Sequence, residues 1–190
     1  EDADIRSGDT VVGFAQGPIG LCATAGARLL GATTIIAVDG NDHRLGIAQK
    51  MGADVTLNFK NCDVIDEIMK ITGGRGADSA IEALGTQATF ESALRCIKPG
   101  GTLSSLGVYS EDLKIPLSAF AAGLGDHKIN TALCPGGKER MRRLMNVLAS
   151  NRLALGLLVT HQYKLDDIVA AYDLFAHQRE GVLKVAITPQ

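Results

Sequence analysis

The sequence predicts an α/β protein: a doubly wound, mostly parallel six-stranded sheet followed by a tail of helix, strand, helix and strand. Three observations predict it. Residues 10–39 read as an apolar strand, a glycine turn, a helix and a second apolar strand that ends on an acid. That is the order of a dinucleotide-binding βαβ unit. Short apolar runs then alternate with helical periodicities as far as residue 133, as parallel strands joined by crossover helices do. Gly-rich joins punctuate the whole, drawn from 22 glycines in 190 residues.

Taken in order, residues 10–15 are short, apolar and rich in β-branched side chains, hence a buried strand. Residues 21–30 carry small and apolar side chains at helical spacing, and residues 33–38 form the second strand. Asn41 or Asp42 caps a helix that reaches about Lys50, with Gly52 just past its end. Residues 55–58 are a third strand. Asp63 caps a helix with Val64, Ile65, Ile68, Met69 and Ile71 on its apolar side, and residues 73–76 end it. Residues 77–84 are a fourth strand ending at Gly85. A helix over residues 87–97 is closed by Lys98-Pro99-Gly100-Gly101, and residues 102–108 are a fifth strand. Residues 109–126 are looser, with a turn of helix over 118–122, and residues 127–133 form the sixth strand. Pro135-Gly136-Gly137 then breaks the chain. A basic helix over 138–148, a strand over 155–160 and a helix over 165–175 follow, the last with Ile168, Val169, Ala171, Tyr172 and Phe175 on one face. A strand over 182–187 closes the tail. The chain thus divides into a dinucleotide-binding domain, residues 1–133, and a tail, residues 134–190.

The turn Gln16-Gly17-Pro18-Ile19-Gly20 has a physical job at each position. Gly17 lets the backbone approach a pyrophosphate, and Gly20 lets the helix pack closely on the strand. Pro18 sits at the first helical position, where a missing N–H costs nothing. The free amides of Ile19 and Gly20 point toward an anion, helped by the helix dipole. Asp39 follows Gly17 by 22 residues; at a strand end it can accept from ribose hydroxyls and repel a 2′-phosphate. The first glycine of G-x-G-x-x-G is replaced by Ala15, which is expected to make the turn with φ negative. The same turn also fits other α/β nucleotide folds, a methyltransferase-like one included.

Composition excludes several classes. At net charge −2 there is no basic surplus for nucleic acid or an anionic membrane. The run Lys138, Arg140, Arg142 and Arg143 reads as a solvated helix face. No apolar run approaches the roughly 18 residues of a spanning helix. Cys22, Cys62, Cys96 and Cys134 are scattered and form no C-x-x-C, so they are expected to be reduced, buried thiols of a cytoplasmic protein. His43, His127, His161 and His177 make no metal-ligand pair.

The segments SGDTVVGFAQGPIGL (7–21), GRGADSAIEALG (74–85), ALRCIKPGG (93–101), LCPGGKERM (133–141) and LVTHQYKLDDIVAAYDLF (158–175) stand in this order. On them the chain resembles the medium-chain, zinc-dependent alcohol dehydrogenases, and the bacterial secondary-alcohol dehydrogenases most closely, along its whole length. The resemblance implies a Rossmann domain that binds NAD(H), in an enzyme interconverting secondary alcohols and ketones by hydride transfer. It implies that Gly17, Ile19 and Gly20 form the pyrophosphate turn, with Ile19 also against the nicotinamide. By the same resemblance Asp39 is expected to select NAD over NADP, and Arg44 to stand near the adenosine ribose. Ala83 and Leu84 are expected to line the cofactor, and the strand end Leu106, Gly107 and Val108 to meet the nicotinamide amide. Lys184 is expected to reach the pyrophosphate, with Pro18 and Gly40 completing the cofactor set.

The resemblance also implies what is absent. The catalytic zinc ligands of that family come from a domain preceding the glycine loop, and nothing here corresponds to it; the chain begins at Glu1 without Met. The expectation is a C-terminal half with no catalytic or metal-ligating residue of its own, inactive by itself, whose tail exposes an apolar face. A homo-oligomer is expected to form through residues 127–133. Two other readings share the glycine loop: a non-catalytic dinucleotide-binding sensor module, and a zinc-free quinone reductase-like oxidoreductase.

Overall fold

The computed structural model describes residues 2–189. Its strands are β1 (Thr10–Phe14), β2 (Thr34–Asp39), β3 (Val55–Asn58), β4 (Ala77–Glu82), β5 (Ile97–Ser105), β6 (Lys128–Thr131), β7 (Val159–Lys164) and β8 (Lys184–Thr188). Its α-helices are α1 (Pro18–Leu30), α2 (Asp42–Lys50), α3 (Val64–Ile71), α4 (Gln87–Cys96), α5 (Lys138–Ala149) and α6 (Ile168–Ala176). The first six strands form one parallel sheet in the order β3-β2-β1-β4-β5-β6, and β7 pairs with β8 in a separate parallel ribbon. The chain winds outward from β1 to β3 and then returns to the other side of β1 at β4. That reversal opens a crevice between the carboxyl ends of β1 and β4.

Alternation along the strands divides the core into two layers. Val11, Ile35, Ala37 and Ile81 meet Leu21 and Ala25 of α1 and Leu45 and Ala48 of α2. Val12, Ile36, Val38 and Leu103 meet Ile68 of α3 and Phe90 and Leu94 of α4. Both faces are covered, which is why the central strands read as continuous apolar runs. Helices α2, α3 and α4 start where short polar side chains satisfy free amides. Asn41 accepts from the His43 and Arg44 amides, Asp63 from Asp66, and Thr86 from Thr89.

Several boundaries differ from the sequence reading. The Lys98-Pro99-Gly100-Gly101 stretch does not separate helix from strand but loops out inside β5. The ladder pairs Ala77 with Ile97 and resumes only at Ser79 with Thr102. β4 ends at Glu82 and β5 at Ser105, so Leu84 and residues 106–108 lie in loops. Residues 155–158 form a 3-10 turn rather than a strand, and the strand follows at β7. In α3 only Ile68 of the predicted apolar side is buried, and Ile71 is exposed. In α6 the buried residues are Ala171 and Leu174, whereas Val169, Tyr172 and Phe175 are exposed. Cys96 is buried, but Cys22 and Cys134 are exposed, contrary to the expectation of four buried thiols.

The amino ends of β1 and β4, opposite the crevice, are tied by Asp78. Its Oδ2 accepts from the Thr10 amide at 2.7 Å, joining β4 to β1, and its Oδ1 accepts from the Lys98 ammonium. Partial burial would raise the Asp78 carboxyl, but the Lys98 and Thr10 donors override it and hold the group below its ordinary range. A depressed carboxyl stabilises the fold above its unfolded value, about 3.9, and that contribution is lost as the pH falls through the folded value. Asp78→Asn is therefore expected to lower the urea midpoint at neutral pH, with the gap to the parent chain closing below about pH 4. A gap independent of pH would contradict this.

Candidate functional site

The crevice is built on the turn that leaves β1. Ala15 takes φ +68°, the left-handed region, and not the negative φ expected from its side chain. This costs a non-glycine residue roughly 1–2 kcal/mol. What offsets it is a buried carboxylate: the Gln16 amide donates to Asp39 Oδ2 at 2.6 Å, and the Ala15 amide donates to the Val38 carbonyl at 2.9 Å. The Gln16 side chain is fully buried, its Nε2 donating to the Gly13 carbonyl and its Oε1 accepting from Thr24 Oγ1. The turn is thus fixed from both ends before α1 begins.

Gly17 is the N-cap of α1 and Pro18 its first residue. The two glycines serve different ends. A Cβ on Gly20 would stand 1.8 Å from the Ala15 carbonyl oxygen, so the fold itself forbids a side chain there. A Cβ on Gly17 would meet no atom within 4 Å. Its place faces open space in front of the helix end, where a ligand backbone or phosphate can come close. Among the described residues the amides of Ile19 and Gly20 have no acceptor.

The opposite wall comes from β4 and the loop after β5. Phe14 is level with Val38 on one side and Glu82 on the other, and the Ala83 amide donates to the Phe14 carbonyl at 3.1 Å. Gly85 and Gly107 approach so closely that a Cβ on Gly107 would lie 2.2 Å from the Gly85 nitrogen, and one on Gly85 2.4 Å from the Val108 carbonyl oxygen. Ala83, Leu84, Gly107 and Val108 therefore share one rim. The Leu106 side chain turns away, packing against the core beneath α1.

Beside β2 lies a cavity of about 340 Å³ lined by Phe14, Ala15, Val38, Asp39, Gly40, Asn41, Arg44, Phe59, Lys60, Leu84, Thr89 and Gln178. Asp39 is buried, and its Oδ1 accepts from the Asn41 amide at 2.9 Å. Arg44 Nη1 stands 4.0 Å from Asp39 Oδ2. On the other side of the α1 terminus, Pro18 and Lys184 share a second cavity of about 270 Å³ with α6 and β8. Lys184 is close enough to Cys22 to act on it electrostatically: partial burial lifts the Cys22 thiol above its ordinary value, and the lysine charge lowers it in part. The sequence-predicted residues thus gather around the α1 terminus and the two strand ends flanking it, the Leu106 side chain excepted.

The zinc-binding dehydrogenase family profile matches residues 18–150. The chain belongs to this family. It is 82% identical over 189 residues to an alcohol dehydrogenase of Cupriavidus necator, all of this chain aligning to 52% of that protein. It is 36% identical over 190 residues to an NADP-dependent isopropanol dehydrogenase of Clostridium beijerinckii, covering 98% of this chain and 54% of that one. The solved alcohol dehydrogenase TADH from Thermus sp. ATN1 superposes with TM-score 0.89 at 30% identity, over 99% of this chain and 53% of its own. The chain therefore spans about half the length of these relatives.

Among the described residues no three His, Cys, Asp or Glu side chains are grouped to hold a metal ion. No described helix is long and apolar enough to cross a membrane.

Sequence reasoning missed Glu82, although the segment carrying it was singled out. Its side chain is fully buried at the end of β4. Oε1 accepts from the Leu84 amide at 2.7 Å, the Gly85 amide at 2.8 Å and Thr89 Oγ1 at 2.8 Å; Oε2 accepts from the Tyr109 hydroxyl at 2.7 Å. Burial pushes the Tyr109 hydroxyl up; Ser105 offsets part of this and Glu82 adds to it, so the phenol stays a donor. An acid ending an apolar strand and followed by Ala-Leu-Gly was the available signal. Glu82→Leu leaves two part-buried amides without their acceptor and is expected to cost about 1–3 kcal/mol in urea unfolding. Glu82→Gln should cost less, because its NH₂ can donate to the Tyr109 oxygen. Equal losses would contradict the network.

Proposed function

We propose that this chain is the cofactor-binding part of an alcohol dehydrogenase that interconverts secondary alcohols and ketones, and that its cofactor is NAD(H). The observation that carries the reading is the α1 terminus at the β1–β4 crevice. Unclaimed amides of Ile19 and Gly20 stand beside the open space in front of Gly17, with the buried Asp39 carboxylate one strand away. Backbone donors at a helix N-terminus suit a pyrophosphate. A carboxylate at the end of β2 suits a ribose diol and repels a 2′-phosphate. The relatives named NADP-dependent isopropanol dehydrogenases support the alcohol class; the buried acid argues for the cofactor without the 2′-phosphate.

In this reading Gly17 admits the pyrophosphate, the Ile19 and Gly20 amides hold it, and Lys184 adds a cation from the tail. Ile19 and Leu84, 57% and 55% exposed, offer apolar surface to a planar ring at the crevice mouth. The bound nicotinamide supplies the hydride chemistry. The chain's own part is to place and shield it. Zinc ligation, which no described group supports, is assigned to the half of the relatives' length that this chain does not span. The chain alone is proposed to bind cofactor without turning over alcohol. All four residues of β6 are exposed at the sheet edge, which supports pairing of two copies there.

Calorimetric titration of the chain with NAD and with NADP tests the reading. NAD is expected to bind and NADP to bind more weakly. Tighter binding of NADP would contradict the role given to Asp39, and binding of neither would contradict the reading of the crevice.

A further inference from the structure

Arg44 is held from two directions. Nη1 lies 4.0 Å from Asp39 Oδ2, while Nη2 donates to Gln178 Oε1 at 3.1 Å, a contact spanning 134 residues of sequence. Gln178 belongs to the turn between α6 and β8 and takes φ +47°. That turn is clamped onto the first turn of α2: a Cβ on Gly181 would stand 2.8 Å from the His43 ring. The next residues, Val182 and Leu183, are buried. The tail therefore carries one amide oxygen to the rim of the cavity that Asp39, Gly40 and Arg44 line, and among the described residues only Arg44 donates to it.

At a ribose site the two charges pull in opposite senses. A carboxylate repels a 2′-phosphate, and a guanidinium attracts one through its planar fork of donors. Which sense prevails depends on where the guanidinium is held. An amide oxygen takes one arm of the fork without cancelling the charge, so it directs the arginine rather than neutralising it.

We propose that Gln178 is a specificity-determining residue: by holding the Arg44 guanidinium on the tail side of the cavity it withholds that cation from a ribose 2′-phosphate and favours the dinucleotide with a free 2′-hydroxyl. The proposal rests on the reading of this cavity as the adenosine-ribose site. The tail, which contributes none of the βαβ unit, in this way reaches into cofactor choice.

The test is the ratio of the Kd for NADP to the Kd for NAD, measured by calorimetry on the full chain. Gln178→Leu frees the guanidinium and is expected to lower the ratio about fivefold, the scale of one exposed charge interaction. Gln178→Glu pairs with the guanidinium and adds a negative charge, so it is expected to raise the ratio. In an Arg44→Leu background, Gln178→Leu is expected to leave the ratio unchanged. A merely structural turn residue would shift both affinities together and leave the ratio alone in every variant. That result, with NAD still bound by the parent chain, overturns the proposal and spares the NAD reading. Failure of the parent chain to bind either dinucleotide overturns both.

Discussion

The hydrogen bond from the Gln16 amide to the buried Asp39 carboxylate ties the end of β1 to the end of β2, and the crevice depends on it. Ala15 stands in a left-handed conformation that an alanine does not choose by itself. It is kept there because the next amide is claimed by a buried, charge-assisted bond of 2.6 Å. From that fixed point the chain turns through Gly17 into α1. The Ile19 and Gly20 amides emerge facing the switch point of the sheet. Asp39 has two structural duties: one oxygen holds the loop, the other holds the Asn41 amide that opens α2.

A second buried carboxylate does the same for the facing wall. Glu82 ends β4 as Asp39 ends β2, and it gathers the amides of the following loop and the hydroxyl of Tyr109 from the loop after β5. Two acids, each at a strand end and each satisfied by backbone donors, thus shape the two sides of one crevice. Polar groups so placed are costly to leave unpaired, which makes the loop geometry specific rather than merely permitted. Tyr172 and Phe175 of α6 line the cavity on the other side of the α1 terminus, with Pro18 and Lys184. Leu174 and Ala171 seat the helix while Val169, Tyr172 and Phe175 stay open.

Much of this was legible in the sequence. The strand–turn–helix–strand order, the caps at Asn41 and Asp63, and the gathering of Gly17, Gly20 and Asp39 around one helix end follow from spacing and residue type. The rest lay in long-range contacts that spacing does not encode. The sign of φ at Ala15 is set by a carboxylate 24 residues away. The Lys98-Pro99-Gly100-Gly101 stretch has the composition of a helix stop, yet the pairing of Ala77 with Ile97 draws its start into the ladder. The face of α6 was assigned by apolarity, whereas packing on the small residue Ala171 and on Leu174 decided which side is covered. Glu82 reads as one polar residue in an apolar strand because its donors come from two separate loops and from α4.

The central claim is that the Asp39-held turn presents unclaimed amides of α1 to a dinucleotide. The most direct measurement is residue-resolved amide hydrogen exchange by NMR on this chain, with and without NAD. The account expects the Gln16 amide to be protected in both states, and the Ile19 and Gly20 amides to exchange fast in the free chain and slowly with NAD bound. A Gln16 amide that exchanges freely, or NAD binding that leaves Ile19 and Gly20 unprotected, would contradict it.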